Sequence, residues 1–211
     1  MVRSMLVVQD QVWCGFLTSG IRVFHADTHR CIAKGAHEKT ITQLLYNPDL
    51  RGVHAFTHEG EIMNFGDLAG LPNQAELNGG PVDLPSEGVA PIEIRYPLEC
   101  AVLVPCKDGP EIWCYVQAIR QILVLHPITL YLKSTITVPG KITQKRTVQP
   151  AFKMIYIEAE EKDLADKKET SSYVLLLDQT RVVKFCTEEG PPVTMDMHDC
   201  LAQGIPAEKE G

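Results

Sequence analysis

A chain of 211 residues with 45% hydrophobic and 22% charged residues has the make-up of a folded globular protein and is long enough to bury a sizeable core. Its formal net charge of −7 excludes the broad basic surface that binding to a phosphate backbone requires, so nucleic acid is not an expected partner. The one dense basic group, Lys141, Lys145 and Arg146, is expected on a solvated loop.

In chain order, short β-prone runs separated by turns dominate, and no long apolar period of 3.6 residues is present. Met5 to Val8 and Val12 to Gly15 lead, followed by the turn Leu17-Thr18-Ser19-Gly20 and the runs Ile21 to Phe24 and Cys31 to Lys34. Such an up-and-down set exposes its edges and one face unless it stacks on a neighbour. After Gly35-Ala36-His37, the runs Ile41 to Tyr46, Val53 to Thr57 and Ile62 to Phe65 are joined by the turns Asn47-Pro48-Asp49 and Glu59-Gly60. Residues 66–97 are rich in Gly and Pro and read as a long connection, with Ile92 to Arg95 as the expected outer strand. The pattern restarts with Cys100 to Val104, Glu111 to Val116, Gln121 to Leu125 and Leu130 to Val138. A last set comprises Phe152 to Ile157, Tyr173 to Leu177, Val182 to Phe185 and Val193 to Met197, interrupted by a charged, solvated insertion over 158–172. Residues 204–211 are expected to be a disordered tail.

Two segments repeat. Val12-Trp13-Cys14 matches Ile112-Trp113-Cys114, and Ile21-Arg22-Val23-Phe24-His25 matches Ile122-Leu123-Val124-Leu125-His126, with one inserted residue between the registers. The two tryptophans of the chain therefore share one repeat position. Self-similarity across short strands is the mark of blades set around an axis. The second set also resembles the WD40 repeat: Gly35-Ala36-His37, Pro48-Asp49, Glu59-Gly60 and Phe65 stand in order where that family has its Gly-His pair, Pro-Asp turn, Asp-Gly turn and closing Trp. An alanine splits the Gly from the His, Glu59 replaces the aspartate, Phe65 replaces the tryptophan, and no Trp-Asp dipeptide occurs. These degenerate repeats look similar to the propellers of large multidomain signalling proteins such as Roco-type leucine-rich-repeat kinases and Rho exchange factors. The resemblance implies a blade-pinning network of His37, Glu59 and Thr57, with Trp13 and Trp113 as packing anchors.

For chemistry the sequence offers little. The pairs His25/His29 and His54/His58 have an i, i+4 spacing that suits zinc on a helix, but neither has the intervening glutamate and both fall on strands or hairpin turns; on an extended strand such rings stand about 13 Å apart, so no metal is expected. No Walker loop, G-x-S-x-G elbow or dinucleotide fingerprint occurs, and no cofactor is expected. The seven cysteines form no C-x-x-C pair, which suggests free thiols in a reducing, cytoplasmic setting. The apolar run at the N-terminus is too short for a signal peptide, and no transmembrane-length stretch follows.

The expectation is an all-β chain, a WD40-like β-propeller with about four blades forming part of a larger ring. Residues 1–65 hold the first blade and most of the second, and 98–203 hold the third and fourth. The expected function is a non-catalytic protein-interaction scaffold, with homodimerisation through exposed blade edges as a further expectation. An enzyme with its site at the propeller mouth, or two small β-sandwiches split at 66–97, are the alternatives.

Overall fold

The computed structural model describes residues 1–35, 38–66, 80–84, 87–91, 96–139, 152–158, 172–178, 181–187 and 193–196. The described residues are all-β, with a single turn of 3-10 helix at Gln117–Ile119 and no α-helix.

Four separate sheets follow one another along the chain. The first contains β1 (Val2–Val8), β2 (Gln11–Phe16), β3 (Ile21–His25) and β4 (Cys31–Gly35), each antiparallel to the one before. The second contains β5 (Ile41–Asn47), β6 (Gly52–Thr57) and β7 (Ile62–Phe65). Two short strands then leave the connection in different directions: β8 (Val82–Leu84) adds in parallel to β4 of the first sheet, and β9 (Glu87–Val89) completes the second sheet beside β7. The third sheet is β10 (Cys100–Val104), β11 (Glu111–Val116), β12 (Gln121–Leu125) and β13 (Leu132–Thr137); the fourth is β14 (Phe152–Ile157), β15 (Tyr173–Asp178), β16 (Arg181–Cys186) and β17 (Val193–Asp196).

The main strands therefore lie where the alternation of the sequence puts them. Only part of the segment 66–97 is described. Residues 92–95, where an outer strand is expected, lie outside the described residues; among the described residues the outer strand of the second sheet is Glu87–Val89. Three-residue edge strands carry too few positions to show a period, and Val82 and Val89 remain partly exposed like loop residues. Glu158 and Ser172 are the only described residues of the charged insertion, and the tail 204–211 lies outside them.

The sheets pack face to face in sequence order. One core lies between the first and second sheets, around Trp13, Val23, Leu44, Ala55 and Phe65. Another joins the second to the third, with Phe56 and Ile62 against Ala101, Ile112, Cys114 and Leu125. The last joins the third to the fourth, with Trp113, Tyr115 and Val124 against Met154, Leu176 and Phe185. The middle sheets are thus covered on both faces, which is why β6 is buried at all six positions and reads as a near-continuous apolar run. Their first strands stand side by side, β1 against β5, β5 against β10 and β10 against β14. Side chains tie this inner row together. Ser4 Oγ accepts from the Leu44 amide at 3.0 Å, while Gln43 accepts from the Ala101 amide at 2.8 Å and donates to the Ala101 carbonyl at 2.6 Å. The stack ends in open faces, where Met5 is 63% and Val7 64% exposed on the first sheet and Ile155 is 47% exposed on the fourth.

The internal repeat becomes a three-dimensional one. Trp13 stands opposite Val23, and Trp113 stands opposite Val124. Gly15 pairs with Ile21 where Tyr115 pairs with Ile122, so the inserted residue sits in the second hairpin turn, which holds the 3-10 turn. The turns after β3 and β12 also coincide: His29 and Leu130 take left-handed φ values of 56° and 58°, and donate their amides to the His25 and His126 carbonyls, each at 2.9 Å. Neither residue is a glycine, so the sterically disfavoured conformation is imposed by the turn and not signalled by composition.

Candidate functional site

Two polar clusters stand out, each at a junction between sheets. The first is built on the β10–β11 turn, where Pro105 to Pro110 leads into Glu111. A cleft of about 620 Å³ opens there between the third and fourth sheets, lined by Cys106, Lys107, Asp108, Glu111, Ser172 and Thr187. Glu111 is its hub. It accepts from Trp113 Nε1 at 3.1 Å, from Cys106 Sγ at 3.5 Å, and from the Lys133 ammonium. Burial alone would raise the Glu111 carboxyl, but the hydrogen bonds from Lys133 and Trp113 outweigh it and hold the group below its ordinary range. Cys106 moves the other way: burial first, and then the Glu111 charge, push its thiol up to about 11. At neutral pH the cleft therefore presents a carboxylate and a protonated thiol, and Cys106 is not a nucleophile there.

The second cluster links the second and third sheets. His54 on β6 is buried, donates from Nδ1 to Asn64 Oδ1 on β7, and accepts at Nε2 from Asn47 Nδ2 at 3.1 Å. Asn47 also donates to the Pro127 carbonyl at 3.0 Å and accepts from the Asp49 amide at 3.1 Å. Burial holds the His54 pKa below its ordinary value, so the ring is neutral with both nitrogens engaged. A shallow groove of about 220 Å³ passes over it, between Leu50, Phe65 and Ile128.

The residues singled out from the sequence are placed as follows. His37 lies outside the described residues. Glu59 is exposed in the β6–β7 turn, where its carboxylate is 3.4 Å from the Thr40 amide. Thr57 is fully buried and accepts from the Glu61 amide at 3.0 Å, which pins the same turn. Trp13 is completely buried and packs against Phe65, with ring centroids 5.7 Å apart. Trp113 is buried in the core between the third and fourth sheets. The histidine pair 25/29 flanks the hairpin turn after β3, where His25 Nδ1 accepts from the Asp27 amide at 3.2 Å. His54 and His58 part company, one buried and one in the turn after β6. Among the described residues no group of three or more His, Cys, Asp or Glu stands close enough to hold a metal ion.

Sequence reasoning missed the indole acceptors. Trp13 Nε1 donates to Gln11 Oε1 at 3.0 Å, as Trp113 Nε1 does to Glu111. The signal was available, since residues two apart on a strand share a face and both acceptors stand two before a tryptophan. The Asn47–His54–Asn64 cluster had no such signal, because its members come from three strands.

No known protein family matches the sequence, and no curated protein matches it. Among solved structures, the chain is similar to PorZ, described as an essential bacterial surface component of the type-IX secretion system of Porphyromonas gingivalis. The match has a TM-score of 0.51 at 8% identity and covers 93% of this chain and 21% of that one. The chain thus spans about a fifth of that protein's length, and the likeness is one of fold alone.

Proposed function

We propose that this chain is a non-catalytic protein-interaction scaffold, built as four blades of a WD40-like β-propeller that belongs to a larger ring. The supporting observation is the unbroken stack: four meandering sheets, three cores between them, and first strands aligned in one inner row. A propeller places the first strand of every blade next to the axis and covers each blade with the next. Two separate β-sandwiches account for the first and last cores but leave the middle one, around Phe56 and Ile112, without a reason. The described cysteines are free, which suits a reducing cytoplasm. The kinship to Roco kinases or Rho exchange factors stays at the level of the degenerate repeat.

The cleft between the third and fourth sheets is the favoured contact for a protein partner. Its rim carries Lys107 and Asp108 on a turn held by a rigid scaffold, with Glu111 at the start of β11, the usual arrangement for recognition. The test is a charge reversal, Lys107→Glu with Asp108→Lys, in the immobilised full chain. The expected result is loss of the captured partner with an unchanged melting temperature. A partner retained equally by the variant removes the cleft from this reading, and turnover of a small molecule at the inner ends of the first strands would replace it with an enzyme.

A further inference from the structure

The two open ends of the stack are of opposite kind. At each of the three junctions, the face turned towards the following sheet meets the face turned towards the preceding one, and like faces never meet. The internal repeat identifies the open face at the N-terminal end. In the third sheet, the face carrying Ala101, Ile112, Cys114 and Leu125 is covered by Phe56 and Ile62 of the second. In the first sheet, the registers put Met5, Val12, Cys14 and Phe24 at those same positions; no described sheet lies over them, Met5 is exposed, Val12 and Phe24 are half-buried, and Cys14 is buried among its neighbours. The opposite end is the outer face of the fourth sheet, where Ile155, Leu175, Lys184 and Val193 form one cross-strand row and Leu177 and Val182 the next. This face is mostly apolar but also carries Lys153 and Lys184, and Ile155 and Val193 are 47% and 51% exposed. Cations are set among these apolar residues: Arg22 lies over Phe16 at 5.6 Å and Lys184 over Tyr173 at 4.0 Å, while Lys34 stands opposite Arg22 and 3.7 Å from Asp83, and Lys153 stands opposite Leu177.

We propose that the open face of the first sheet receives the fourth sheet of a second copy of this chain, and the reverse, so that two copies close one ring of eight sheets. Eight lies within the range of about four to eight blades in which propellers close. A two-fold axis relates the two new junctions, so that neither copy keeps an open face. Each junction continues the packing seen three times within the chain, with β1 of one copy beside β14 of the other. Contact is through faces and not through the outer strand edges. The proposal rests on the reading of the sheets as blades.

Light scattering after size exclusion of the full chain tests it, with an expected mass of twice the 23.5 kDa of one copy. Val7→Asp on the first sheet and Ile155→Asp on the fourth each place a charge in both junctions, and each variant alone is expected to weaken the dimer about tenfold or more. Mixed together, the two variants recover dimers, because one of the two junctions then joins two unaltered faces. Val7→Thr and Ile155→Thr repeat the experiment without a charge, should either Asp variant fail to fold. A wild-type monomer at all attainable concentrations overturns the proposal, as does a dimer untouched by one of the two changes, which would mean that like faces meet. Masses that grow beyond two copies also overturn it. A monomer that melts in one step leaves the blades standing and removes only the second copy, whereas a chain melting in two independent halves removes the blades themselves.

Discussion

The first and third sheets are the same design in two settings. Each puts a tryptophan at the centre of its second strand, opposite a valine on its third, with the indole donating to a residue two positions earlier. The settings then diverge. Gln11 is neutral and buried, whereas Glu111 is charged, faces a cleft, and is shared by Lys133 and Cys106. Gly15 corresponds to Tyr115: in the first sheet the absence of a side chain lets Ile41 of β5 approach, while in the third a full ring fills the space before the fourth sheet. The difference teaches that the repeat specifies the sheet, and the neighbour specifies what the sheet can carry.

Removing either indole tests the shared part. Trp13→Ala and Trp113→Ala should each cost about 3–5 kcal/mol, measured by denaturant unfolding, because both leave a cavity between two sheets. Similar losses support equivalent anchors; a small loss at either one would mean that its sheet contributes little to the cooperative unit. Gly15→Ala probes the divergent part. An added Cβ would stand 2.5 Å from Ile41 Cγ2, so a loss of about 1–3 kcal/mol is expected, and stability unchanged by the substitution would show that the first two sheets can move apart freely.

Trp→Phe changes separate the two acceptors. Trp13→Phe strands the buried Gln11 carboxamide, at about 1–3 kcal/mol beyond the lost packing, whereas in Trp113→Phe the Glu111 carboxylate keeps its Lys133 and Cys106 donors and loses less. Equal losses would contradict the difference drawn between the two sheets.

Acid exposes the smallest contrasts. His54, in the sheet between the two, has a folded pKa below the ordinary 6.5, so the unfolded chain takes up its proton first. Stability present above pH 6.5 should decline as the pH falls towards the folded value, and His54→Asn should flatten that slope in thermal melts. Glu111 is also held below its ordinary 4.5, and its contribution is present above that value and lost on further acidification through the folded pKa. Gln11 has no proton to take up. Amide protection in β11, corrected for the intrinsic exchange rate at each pH, should therefore fall below pH 4.5 in a way that Glu111→Gln abolishes and that β2 does not share.

Alternation, turn residues and the doubled Trp-Cys pattern by themselves determined the all-β class and nearly every main strand, because a strand's period of two and its punctuating Gly, Pro and Asp are local properties. They also marked Trp13 and Trp113 as partners in one design. Only the tertiary structure decided the rest, for the physical reason that packing joins residues far apart in the chain. The Asn47–His54–Asn64 cluster and its reach to Pro127 span two sheets, and the strands Val82–Leu84 and Glu87–Val89 are too short to carry a period. Which apolar faces are covered and which stay open is likewise set by the order of stacking: Ala101 and Met5 occupy the same position in the repeat, yet one is buried beneath the second sheet and the other is exposed.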